Sequence, residues 1–111
     1  MIKINKPPYF CKTEKKYLSK LSKPQKEDYE KRVKDFEKNE DPVHIKNDTH
    51  SLTGDLKGFH SFTCCRSNGR SDRIIFSINS ESNIVNFYDI KEVTFHSVGD
   101  HDAYKEMKKR I

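Results

Sequence analysis

Residues 50–76 read HSLTGDLKGFHSFTCCRSNGRSDRIIF. A histidine opens this run in a polar stretch, and Gly54 and Gly58 follow it. Residues 59–66 have strand composition, residues 67–69 a tight turn, and Arg73 stands at the mouth of an apolar strand. Two strand-like runs flanking SNGRSD predict a β-hairpin. Period-two alternation puts His60, Phe62, Cys64 and Arg66 on one side of the first strand. On the second it puts Ile74, Phe76 and Ile78 opposite Arg73, Ile75 and Ser77. A loop histidine and a strand-borne arginine beside one sheet suit phosphate chemistry.

Upstream, residues 9–13 (YFCKT) read as a first strand entered through Pro7 and Pro8, with residues 2–4 as an alternative or earlier strand. Thr13 can cap a helix over residues 14–21, with Tyr17, Leu18 and Leu21 on one face. Pro24 then opens a second helix ending near Lys38. Its Tyr29, Val33 and Phe36 form an apolar stripe at i, i+4 and i+7. These segments form a helical hairpin, and its stripe reads as core. Residues 39–49 read as a polar loop.

Downstream, residues 84–98 are long for one strand. They fit a strand ending near Ile90 followed by another over 93–98, or one bent strand with a bulge at Lys91 or Glu92. Asp100 or Asp102 can cap a basic helix over residues 103–110. The expected fold class is α+β: a helical hairpin packed on an antiparallel sheet of three to five strands, with a short C-terminal helix. At 111 residues the chain is expected to be one domain, 1–111.

Composition narrows the function. Hydrophobic residues make up 32% and mean hydropathy is −0.98, so the apolar residues must be concentrated in a small core. No run approaches the roughly 18 apolar residues of a membrane span. The N-terminal MIKINKPPYF lacks a signal-peptide pattern, so the cytoplasm is the expected compartment. Cys64 and Cys65, adjacent on a strand, are expected on opposite faces, which suits neither a shared disulfide nor a shared metal. No cofactor or metal is expected. The net charge of +5 is uneven. Residues 1–38 hold twelve basic and six acidic side chains, whereas the remainder holds ten and eleven. A basic surface favours a polyanion such as RNA.

Three motifs in order, HSLTGDLKGF (50–59), DRIIF (72–76) and VGDHDAY (98–104), resemble the RelE superfamily of type II toxins, in particular its YafQ-like and YoeB-like branches. The resemblance spans nearly the whole chain. It implies a helical hairpin leaning on a curved antiparallel sheet. It also implies a ribosome-dependent endoribonuclease that cuts messenger RNA (an mRNA interferase) and is restrained by a cognate antitoxin protein. On this resemblance His50 takes the general-base position and Arg73 that of the phosphate-contacting arginine. His101 falls where acid or phosphate-binding work is assigned, and Tyr104 near a terminal aromatic that orients substrate. Lys57, His60 and Arg66 are second-tier RNA contacts. The chain departs from the family at Phe62 and Cys64, near where RelE has paired lysines.

These residue types fit metal-independent RNA cleavage. The 2′-hydroxyl attacks the adjacent phosphorus, leaving a 2′,3′-cyclic phosphate and a 5′-hydroxyl. A base must take the 2′-proton, an acid must protonate the leaving oxygen, and a cation must hold charge on the phosphorane. Histidine suits the first two tasks, with an ordinary pKa of about 6.5. Arginine suits the third, because its planar fork matches two phosphate oxygens. Two rival readings stand beside this one: a ParE-type toxin of the same fold that poisons gyrase and cuts no RNA, and a non-enzymatic RNA-binding module. His50 and His101 argue against the first.

Overall fold

A computed structural model of the chain describes residues 2–39, 42, 49–67, 70–79, 81–82 and 84–93. In chain order the elements are β1 (Lys3–Asn5), α1 (Pro8–Ser19), α2 (Lys23–Lys38), β2 (Thr49–Ser51), a 3-10 turn (Gly54–Leu56), β3 (Phe59–Ser67), β4 (Arg70–Asn79) and β5 (Ile84–Lys91). The five strands form one sheet in the order β1-β5-β4-β3-β2. The expected α+β class holds, with two helices on a five-stranded sheet. The sheet is mixed rather than purely antiparallel, because β1 runs parallel to β5. The C-terminal helix expected over 103–110 lies outside the described residues.

The N-terminal residues correct the sequence reading. Residues 9–13 are helical, and the strand is the earlier alternative, Lys3–Asn5. Pro8 sits in the first turn of α1, where a missing N–H costs nothing, and Pro7 is the N-cap. Burial of Phe10 and Tyr17 on one side of α1, followed by Leu21, carries the helical period back through the supposed strand. The second helix starts as expected. Ser22 accepts the Gln25 N–H while the Gln25 side chain accepts the Ser22 N–H, a complete capping box.

The core lies between the helices and one face of the sheet. It is aromatic: Phe36 stacks on Phe62 with ring centroids 4.0 Å apart, and Phe76 and Phe87 pack around them. Phe10 of α1 meets Phe87 of β5 edge-on at 5.3 Å. Tyr29 and Phe36 of the α2 stripe are buried and Val33 is half-buried, as expected of core positions. Each fully buried aromatic or aliphatic side chain contributes about 1.5–3 kcal/mol relative to exposure.

Two register shifts decide which side chains reach which face. The first falls on β3 between Thr63 and Cys65: Thr63 pairs with Arg73, yet Cys65 pairs with Asp72. Contrary to the strict alternation expected, both cysteines therefore turn toward the helices. Cys64 lies in the aromatic core, and Cys65 Sγ reaches the Gln25 carbonyl of α2 at 3.7 Å. All three cysteines are thiols, and burial pushes those of Cys64 and Cys65 above the ordinary value. The second shift falls on β5, where Ile75 pairs with Asp89 and Phe76 with Phe87, leaving Tyr88 as the extra residue. Strand β5 ends at Lys91, close to the expected end near Ile90, and its bulge lies at Tyr88 rather than at Lys91 or Glu92. The possible strand over 93–98 extends beyond the described residues.

Candidate nucleic-acid site on the open face of the sheet

The sheet face away from the helices carries a second, smaller apolar cluster. Leu52, Leu56 and Ile75 are buried there, with Phe59 packed against them. Gly54 and Gly58, at φ of +68° and +95°, let the 3-10 segment fold back over the sheet. The Leu52 N–H then closes onto the Phe59 carbonyl at 2.9 Å. This clasp holds β2 against β3. His50 is thus on an edge strand rather than in a loop, and its register partner is Ser61. A three-residue polar strand, Thr49–Ser51, has no periodicity to announce it; pairing with β3 creates it.

Arg73 reaches the same serine from the other side. Its Nε donates to Ser61 Oγ at 2.9 Å and its Nη2 to the Ser61 carbonyl at 3.0 Å. Its Nη1 donates to Thr63 Oγ1 at 2.8 Å. The residue is only 6% exposed, so these bonds fix the fork in a largely desolvated setting. Directly paired residues on an antiparallel sheet have Cβ atoms about 4.5–5.5 Å apart. His50 therefore stands over Ser61 while Arg73 holds it, and the two candidate residues converge on one face.

Ser61 and Thr63 are functional candidates that sequence reasoning missed. Their signal was present, as hydroxyls alternating with Phe62 on β3, but only the pairing with β2 and β4 gives it meaning.

The second-tier residues divide. Arg66 pairs with Ser71, two residues from Arg73, so the bulge brings it to the open face; alternation alone had set it beside Phe62. Its backbone N–H donates to Asp28 Oδ2 at 2.9 Å. Burial pushes the Asp28 carboxyl up, but this bond and the Arg32 guanidinium outweigh it and hold the group below its ordinary value. Lys57 is exposed at the end of the 3-10 turn. His60 is not brought to this face. It is stacked on Phe76 with centroids 5.5 Å apart, and its Nδ1 lies 3.0 Å from Ser51 Oγ. Burial pushes its pKa below the ordinary value, which favours the neutral ring. His101 and Tyr104 lie outside the described residues.

Asp72 faces the helices although it adjoins Arg73. Its carboxylate, fully buried, accepts from Tyr17 at 2.5 Å, from the Val93 N–H at 3.2 Å and from Arg70 at 2.9 Å. Arg70 also reaches Glu92 at 3.0 Å. This network ties α1 to the end of β5, where the chain leaves the sheet. Desolvation, the nearby Cys64 and the Asp72 carboxylate all push the Tyr17 hydroxyl far above its ordinary pKa. Among the described residues no cluster of three or more histidine, cysteine, aspartate or glutamate side chains could hold a metal ion. No described helix is long and apolar enough to cross a membrane.

A helical hairpin on a five-stranded sheet, with a basic and hydroxyl-rich open face, defines an α+β protein of the RelE/YoeB-like fold. No family model and no curated protein matches the chain. Among solved structures it is similar to the YoeB-YefM complex from Staphylococcus aureus, at TM-score 0.54 and 15% identity, over 86% of this chain and 98% of that one. It is also similar to the conserved hypothetical protein HP0894 from Helicobacter pylori, at TM-score 0.50 and 16% identity, over 83% and 94%. At such identities the likeness is one of fold, and it agrees with the RelE-superfamily resemblance of the sequence motifs.

Proposed function

We propose that this chain is the toxin of a toxin–antitoxin pair and an endoribonuclease that cuts messenger RNA on the ribosome by 2′-hydroxyl attack. The observation that carries the reading is the convergence of His50 and Arg73 on Ser61. His50, exposed on the edge strand, takes the 2′-proton. Arg73, already oriented by Ser61 and Thr63, holds the charge that builds on the phosphorane. Preorganised donors of this kind stabilise a transition state by about 3–4 kcal/mol each. In this reading His101 protonates the leaving oxygen and Tyr104 positions the substrate. Arg66 and Lys57 contact flanking phosphates. The basic N-terminal helices supply long-range attraction for RNA. A protein partner is supported by the fold neighbour YoeB, which is solved in complex with YefM.

The test is induced expression of the wild type and of the alanine variants of His50, Arg73 and His101, with RNA ends mapped in a translating extract. Growth arrest and new ends bearing 2′,3′-cyclic phosphate are expected for the wild type, and neither for the variants. Cleavage undiminished in all three variants would remove the mechanism. Arrest through DNA damage without new RNA ends would favour the gyrase-directed alternative.

A further inference from the structure

Tyr9 and Tyr88 are the large apolar side chains left exposed among the described residues, at 52% and 37%. They come from α1 and β5 and meet edge-on, with ring centroids 5.9 Å apart. Tyr88 is the extra residue of the β5 bulge, and bulges commonly re-aim a side chain beside a functional site. Its ring rests on Phe59 at 5.1 Å, so the small apolar cluster of the open face supports it from behind. The two tyrosines, with Thr13 and Asp89, line an open cavity of about 450 Å³.

The position matters as much as the composition. Asp89 pairs with Ile75, Ile75 with Ser61, and Ser61 with His50. The cavity therefore opens at the far end of the row that begins at His50. Neighbouring strands lie about 4.8 Å apart, which sets His50 and Asp89 roughly 14 Å from each other.

The lining is unsuited to a phosphate, because its charged member is a carboxylate. It suits a planar ring with donors on its edge. Asp89 Oδ1 accepts the Ile90 N–H at 2.8 Å, which fixes the carboxylate in the wall. Lys16 follows Tyr9 and Thr13 at helical spacing, on the same side of α1. Resting on the nuclease reading for its substrate class, we propose that this cavity is a base-binding subsite for single-stranded RNA. A guanine stacks on Tyr88 and donates its N1–H and N2–H edge to Asp89. Two parallel donors match the two carboxylate oxygens; adenine, cytosine and uracil do not present such a pair.

The test is equilibrium binding of the full chain to short 2′-O-methyl oligoribonucleotides, which cannot be cleaved, carrying a single guanine, adenine, cytosine or uracil in an otherwise constant strand. The wild type is expected to bind the guanine strand tightest. Tyr88→Ala should weaken that binding by about 5- to 100-fold, the range of one lost base–aromatic stack. Tyr88→Phe should retain it, and Asp89→Asn should erase the guanine preference while keeping the stack. Tyr9→Ala, on the other wall, gives a second reading should Tyr88→Ala fail to fold. Equal binding of all four strands by the wild type would overturn the proposal. So would a guanine preference unchanged in Tyr88→Ala or Asp89→Asn. Because no cleavage is read, an absence of nuclease activity leaves this result standing. Conversely, cleavage by a wild type that binds all four strands alike sinks the subsite alone.

Discussion

The two faces of β3 and β4 carry different kinds of side chain. One face carries Phe62, Cys64, Ile74 and Phe76, closed under the helices. The other carries Ser61, Thr63 and Arg73 beside a small apolar clasp of Leu52, Leu56, Phe59 and Ile75. The same strands supply both, because successive side chains alternate. The comparison teaches that single positions separate the packed core from the candidate site. Phe62 lies between Ser61 and Thr63 in sequence yet stacks on Phe36 across the opposite face.

The largest expected contrast comes from His50→Ala. It should lower RNA cleavage by about 10²–10⁴-fold, the usual worth of a positioned base, with the urea midpoint unchanged. Full activity of the purified variant would deny the open face its base. Phe36→Ala should do the reverse. It removes the ring that touches Phe62, Phe76 and Phe87, and should destabilise the fold by about 3–5 kcal/mol. Chemical denaturation reads that loss, while activity per folded molecule should persist.

Arg73→Ala blurs the division on purpose. It leaves Ser61 and Thr63 without their guanidinium partner, so a stability loss of about 1–3 kcal/mol should accompany the loss of cleavage. A variant as stable as the wild type would show that these bonds contribute nothing to the fold.

The smallest effect is a pH dependence. His60 has a folded-state pKa below its unfolded value because it is partly buried against Phe76. The unfolded chain therefore binds more protons in the window between the two values. The stability from the neutral ring is complete above about pH 6.5 and is lost as the pH falls through the lowered folded value. His60→Phe should flatten that slope in urea midpoints measured across the window. An identical slope in the variant would assign it to other groups.

Much of this arrangement was legible from local pattern. The α2 stripe, the β3–β4 hairpin and the side of β4 that bears Arg73 all follow from periodicity within a few residues. The motifs that resemble the RelE superfamily agreed with the fold as well. The readings that failed depended on distant partners. Residues 9–13 carry strand-like composition but fold as helix, because Phe10 is claimed by Phe87 across the core.

Sequence by itself determined the helical hairpin, the α+β class and the placing of an arginine opposite the aromatic side of β4. Tertiary structure alone decided that His50 stands on an edge strand over Ser61, that both Cys64 and Cys65 turn inward, and that Tyr88 turns out. The reason is geometric. Alternation is a local rule, but one extra residue in a ladder reverses every facing beyond it, and only the pairing strand reveals where that residue falls.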